Sequence, residues 1–196
     1  TCPQYLLMDD SLYELPGFES AKYVCAPPLR KKEDQDCLWK GLADGTIQTV
    51  STDHCSFTTE QKKLGEGDFT KIPGGMPGAE TRGTLIYTYG VDKGRITKED
   101  MCRVLSENPA KLYGLYPRKG VIAPGSDADL VIMRTGVEDV ITAKDQVQNV
   151  DYAPFEGTKV TGRVESVFLR GLQAVKDGKV VEEKKGEFLK RGKYAL

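Results

Sequence analysis

A single histidine, His54, is the sharpest deficit in these 196 residues. One imidazole makes neither an HxH pair nor an HExxH helix, so no histidine-rich metal site can be built from this chain alone. Loops of the GxGxxG or Walker type are missing, which argues against a nucleotide enzyme, and no GxSxG elbow supports a serine hydrolase. No apolar run approaches the ~20 residues that cross a bilayer, and a formal net charge of −1 gives no basic footprint for nucleic acid. Membrane and nucleic-acid partners are thereby set aside. The cysteines, Cys2, Cys25, Cys37, Cys55 and Cys102, are odd in number and lack CxxC spacing. Neither a disulfide scaffold nor a zinc knuckle fits, and a reducing cytoplasm is expected. The chain opens on Thr1 without an initiator methionine or a signal segment, which points to a piece of something longer or a processed product.

What is present alternates between strand-like and helix-like stretches. Tyr23, Val24 and Cys25 read as a buried strand that Pro27 and Pro28 stop, leaving the backbone at Ala26 free to face a cleft. Lys31 to Leu42 follows as a helix, with Cys37, Leu38 and Leu42 as its apolar stripe, Trp39 as bulk, and Glu33, Asp34 and Asp36 near its positive end. Ile47, Thr49 and Val50 are β-branched or strand-prone and come just after Gly45, so a second strand is expected to end at Asp53 and His54. The class is α/β with parallel strands, and chemistry in such folds collects at the carboxyl ends of strands. Asp53 and His54 can therefore bind a metal or move a proton. The alternative is that Asp53 caps the next turn and His54 packs.

Residues 56–82 hold Gly65, Gly67, Gly74, Gly75 and Gly78 with Pro73 and Pro77, and read as a long loop of the kind that closes or lines a site. Thr84 to Tyr89 and Thr97 to Tyr113 look helical, with Thr97 and Asp100 as a capping box and Asn108-Pro109 as a break. From about Pro117 the texture becomes all-β. A strand is expected at Leu130 to Met133, then two or three short strands over Val164 to Val181 with hairpin turns at Arg170-Gly171 and Asp177-Gly178. This divides the chain into 1–116 and 117–196, and the second part has too few strands to close a sandwich by itself. The charged tail from Lys184 to Leu196 is expected to be solvated or to arm a neighbouring subunit.

Several motifs occur in one order: Thr1-Cys-Pro-Gln-Tyr-Leu, Lys22-Tyr-Val-Cys-Ala-Pro-Pro-Leu-Arg30, Thr52-Asp-His-Cys55, Gly67-Asp-Phe-Thr-Lys-Ile-Pro73, Asn108-Pro-Ala-Lys-Leu112, Gly114-Leu-Tyr-Pro-Arg-Lys-Gly120, Gly125-Ser-Asp-Ala-Asp-Leu-Val131 and Asn149-Val-Asp-Tyr152. Together they resemble the dihydropyrimidinase and D-hydantoinase family of amidohydrolases. The resemblance implies the C-terminal part of a metal-dependent (β/α)8 TIM barrel, plus strands of a small β-sandwich domain made from both chain ends. It implies two metals, usually zinc, held by histidines, a carboxylated lysine and one aspartate at the end of the last barrel strand. Asp53 matches that aspartate, and the other ligands would lie upstream of Thr1. In the family a water between the metals attacks a cyclic amide carbonyl, and the aspartate takes its proton and returns it to the leaving ring nitrogen.

The resemblance further implies that main-chain groups at Ala26 and Gly74 hold the substrate's ring amide. The family has Ser and Asn at these two positions, so the departures bear on substrate range. His54 and Cys55 match the family's pattern without being its ligands. The implied reaction opens dihydropyrimidines or 5-substituted hydantoins to N-carbamoyl amino acids, in a homotetramer, and the 196 residues by themselves are expected to be inactive. The fold also resembles the non-catalytic collapsin-response-mediator proteins, which lack the carboxylate before the histidine. Asp53 separates these readings in favour of the enzyme.

Overall fold

The computed structural model describes residues 1–181 and 186–196. Its first part is helical. Helix α1 (Pro3–Leu7) takes proline in its first turn, where no N–H is needed, and α2 (Lys32–Ala43) begins where the Lys31 N–H donates to Asp34 Oδ2 at 3.1 Å. Trp39 and Leu42, one turn apart, bury the inner face of α2, and the Trp39 indole donates to the Leu6 carbonyl at 3.1 Å. Cys37 is exposed and does not join this stripe, because at 100° per residue it lies about 200° round the helix from Trp39.

Neither expected strand forms. Glu19–Tyr23 is a 3₁₀ turn, and the stretch from Ile47 to Asp53 is extended chain without a ladder. A strand needs a neighbour for its carbonyls, and here side chains and the chain's first residue take that place. Asn108 Nδ2 donates to the Gln48 carbonyl at 2.8 Å, the Thr1 amine to Thr49 at 2.9 Å, Arg82 to Val50 at 3.2 Å and Gln4 to Thr52 at 3.2 Å. The Ser51 N–H donates back to the Thr1 carbonyl at 2.8 Å, which gives the alternation of one parallel rung.

Residues 56–82 are more ordered than a loop. Helix α3 (Thr59–Lys62) is capped by a reciprocal box, Gln61 N–H to Thr58 Oγ1 and Thr58 N–H to Gln61 Oε1, and short 3₁₀ turns follow at Lys63–Gly65 and Phe69–Lys71. Helix α4 (Arg82–Ile86) runs on into a π turn, Tyr87–Asp92. Helix α5 (Lys98–Cys102) starts at the expected box, with Thr97 and Asp100 each accepting the other's N–H at 3.0 Å. Asn108-Pro109 does not break the spiral that follows. A π turn over Arg103–Glu107 lets the Asn108 N–H reach back to the Arg103 carbonyl, five residues away, and α6 (Asn108–Leu112) continues past the proline.

The last part is an antiparallel meander in the order β1-β2-β3-β4: β1 (Leu130–Val140), β2 (Lys159–Leu169), β3 (Leu172–Lys176) and β4 (Lys179–Val180). Strand β1 runs well past Met133. Both hairpin turns stand where expected: Arg170 and Gly171 have φ of 48° and 82°, Asp177 and Gly178 49° and 74°, the left-handed pair that matches strand twist. Val131 and Ile132 are 60% and 48% exposed, and because consecutive side chains on a strand point to opposite faces, the start of β1 is partly uncovered on both. From Gly186 onward the tail is not wholly solvated. The Gly192 N–H donates to the Gly114 carbonyl at 2.8 Å and Ala195 to Lys111 at 3.0 Å, while the expectation for Lys184 and Lys185 lies outside the described residues. No helix among the described residues is long and apolar enough to cross a membrane.

The core is two apolar clusters, the first among the helices and the extended stretch from Ile47 to Asp53, the second between helices and sheet. Leu6, Trp39, Leu42, Val50, Ile86 and Val104 form one, and Met8, Leu29, Met76, Leu85, Phe155 and Val160 the other. The second joins β2 to α4 and the π turn that follows it, where the Thr161 N–H donates to Thr88 Oγ1 at 3.1 Å and the Tyr89 hydroxyl to the Lys159 carbonyl at 3.0 Å. A Cβ on Gly162 would overlap the Tyr87 ring there. We expect Gly162→Ala to cost about 1–3 kcal/mol of stability through overpacking, read as a lower urea midpoint with an unchanged slope.

Candidate active site

Three segments lie side by side around Asp53: residues 24–27, 53–55 and 73–76. Asp53 ends the extended strap with a φ of 50°, a left-handed conformation that costs a non-glycine residue on the order of 1 kcal/mol and is tolerated best by Asn and Asp. It caps no turn. Its carboxylate is exposed and takes part in no hydrogen bond among the described residues. His54 forms an isolated parallel bridge to Met76, and the Cys55 N–H donates to the Met76 carbonyl at 3.2 Å. His54 Nδ1 accepts the N–H groups of Gly78 and Ala79 at 3.1 and 3.2 Å, which assigns the ring proton to Nε2. The imidazole thus fixes the loop after Met76, one residue along from the free carboxylate.

Gly75 holds the segments together. A Cβ there would stand 2.6 Å from the Cys55 carbonyl and 2.7 Å from Cys55 Cβ, so only glycine allows this approach. Its N–H donates to the Val24 carbonyl at 2.9 Å. On the other side, the Pro27 carbonyl accepts from the Tyr5 hydroxyl at 2.9 Å and from Cys25 Sγ at 3.3 Å. Burial, with Cys25 and Asp53 nearby, pushes the Tyr5 phenol well above its ordinary value, so it remains a donor. Ala26 and Gly74 are exposed between these anchored neighbours, and among the described residues their N–H and C=O groups take part in no hydrogen bond. The space beside Gly74 is open: a Cβ would meet nothing within 4 Å.

The residue that sequence reasoning missed is Lys62. It is 1% exposed at the end of α3, and its Nζ donates to the carbonyls of Val24, Pro73 and Gly75 at 3.1, 2.7 and 2.9 Å. The Phe57 ring lies 5.6 Å from the ammonium. Three acceptors use all three ammonium donors. The signal that would have found it is Thr58-x-x-Gln61, a capping box that announces a helix inside a stretch otherwise read as loop.

Among the described residues no three His, Cys, Asp or Glu side chains gather into a set that could hold a metal.

Comparison with known proteins gives the family. The chain belongs to the amidohydrolase family, whose sequence pattern matches residues 15–181. It is 51% identical over 196 residues to the D-hydantoinase of Geobacillus stearothermophilus, covering 99% of this chain and 42% of that protein. It is 44% identical to the D-hydantoinase of Ralstonia pickettii, covering 99% and 43%. The crystal structure of dihydropyrimidinase from Brevibacillus agri superposes with a TM-score of 0.97 at 46% identity, over 100% of this chain and 43% of that one. The chain therefore spans about 42% of the length of the curated relatives it matches. Its fold is the corresponding part of the hydantoinase TIM-barrel architecture, here a run of helices joined to an antiparallel sheet.

Burial lowers the Lys62 pKa from the ordinary 10.5 to about 8, against smaller upward pulls from Cys25 and Cys55. Between these values the unfolded chain binds the proton that the folded one has lost, so this group makes stability rise with pH; below pH 8 both states are charged and the cost of burial stands in full. We expect the urea midpoint of the wild type, relative to Lys62→Met, to increase between about pH 7.5 and pH 9.5.

Proposed function

We propose that the whole protein hydrolyses the cyclic amide bond of dihydropyrimidines or 5-substituted hydantoins, giving N-carbamoyl amino acids. The observation that carries this reading is the placement of one free carboxylate, Asp53, beside two stretches of unpaired main chain, Ala26 and Gly74, on segments tied directly to each other. A ring amide carries one donor and one acceptor side by side. Free N–H and C=O groups complement it without any side chain, so alanine and glycine serve where hydrogen-bonding side chains are absent. The identity of 51% to a named D-hydantoinase over 196 residues supports the same substrate class.

In this reading Asp53 is both a metal ligand and the proton shuttle: it takes the proton of the attacking water and delivers it to the leaving ring nitrogen. Two zinc ions, held in part by a carboxylated lysine outside this chain, would supply Lewis-acid activation of the carbonyl when bound. The remaining ligands belong to the part of the relatives' length that this chain does not cover. Residues 1–116 contribute the barrel part with the site-lining segment 56–82, and 117–196 the sandwich part. The whole protein works in the cytoplasm as a homotetramer.

The test is metal analysis of the full-length protein together with ring opening of dihydrouracil and 5-substituted hydantoins. We expect bound metal and turnover, and a fall in kcat of about 10³-fold for Asp53→Asn. Metal-free, inactive protein would instead support a non-catalytic scaffold of the same fold. The 196 residues alone are expected to show no ring opening, and measurable hydrolysis by them would contradict the assignment of the other ligands to another part of the protein.

A further inference from the structure

We propose that Lys62 is a positioning residue for substrate: its buried ammonium sets the separation of the two main-chain segments that hold the ring amide. This rests on the cyclic-amidase reading of Ala26 and Gly74. The geometry is specific. Lys62 Nζ reaches the Val24 carbonyl, two residues before Ala26, and the carbonyls of Pro73 and Gly75, which flank Gly74 on both sides. The direct bond between the segments, Gly75 N–H to Val24 carbonyl at 2.9 Å, shares its acceptor with the ammonium.

With those carbonyls drawn onto one charge, the N–H and C=O of Gly74, between two of them, and of Ala26, two residues beyond the third, stay unpaired among the described residues, and both residues are exposed. Two loops that each lack a ladder would otherwise drift relative to one another, and a ring amide needs both contacts at a fixed spacing. A buried charge is expensive unless every donor is matched. Packing alone would be served by leucine or methionine, so the full set of three acceptors marks a role in holding backbone. The groups facing the ammonium are these carbonyls, the Phe57 ring, and the thiols of Cys25 and Cys55.

The experiment compares Lys62→Met with wild type in the full-length protein, using hydantoin and dihydrouracil, and follows amide hydrogen exchange in peptides spanning 24–29 and 73–78. Loss of positioning should raise KM by at least about tenfold while kcat stays within about threefold, because the contact is made equally in ground and transition states. Exchange in the two peptides should quicken, with peptides from 98–112 unchanged. If Lys62→Met does not fold, Lys62→Gln keeps one amide donor group of shorter reach and should show the same split to a smaller extent. Unchanged KM and unchanged exchange would overturn the proposal. So would a loss confined to kcat, which would place Lys62 in the chemistry. Wild type that opens neither ring would instead overturn the cyclic-amidase reading. The exchange of the two peptides would then still decide whether Lys62 holds them.

Discussion

One ammonium group, Lys62 Nζ, is bound by three main-chain carbonyls from two different loops, and the arrangement around Asp53 depends on it. Neither loop has a sheet ladder to fix it. Residues 24–26 lie between a 3₁₀ turn and two prolines, and residues 73–76 follow a run of short turns. A single charge that draws three carbonyls to one point replaces many weaker backbone bonds with a few charge-assisted ones. Gly74, between two of these carbonyls, and Ala26, two residues beyond the third, keep their own N–H and C=O unpaired among the described residues. Glycine at position 75 makes the close approach to Cys55 possible, and His54 fixes the far side by accepting two N–H groups.

The strap that carries Asp53 is held by the same logic with different donors. Asn108, Arg82 and Gln4 each donate to one of its carbonyls, so α1, α4 and α6 all position the carboxylate without touching it. These bonds hold the backbone of an extended segment that ends on a residue with a φ of 50°. A second consequence concerns the sheet. Strand β2 docks through Gly162 and the Thr88 hydroxyl on the π turn that continues α4, so the sheet braces the helix that supplies Arg82.

Features encoded by neighbouring residues were legible in the sequence. Thr97 and Asp100 cap their helix as a box should, and Arg170-Gly171 and Asp177-Gly178 make the two tight hairpins. These depend on local backbone preferences, which the chain carries with it. The expected strands at Tyr23–Cys25 and Ile47–Asp53 depend on partners instead, and β-branched residues cannot say whether a ladder neighbour is present. Pro109 was read as a break because a proline removes one hydrogen bond; a π turn upstream shifts the register and absorbs it. For the candidate site, Asp53 and the backbone at Ala26 follow from strand-end and Pro-Pro reasoning, motif resemblance adds their roles and Gly74, and the structure brings the three segments together. Lys62 lay hidden because lysine is almost always a surface residue, and its burial follows only from carbonyls contributed by distant segments.

The most direct measurement of the central claim is a structure of the full-length protein with a cyclic amide bound. The account predicts the ring's N–H and C=O paired with main-chain groups of Ala26 and Gly74, and Asp53 within reach of the leaving ring nitrogen. A ring bound elsewhere, or held there by side chains while Ala26 and Gly74 remain unpaired, would contradict it.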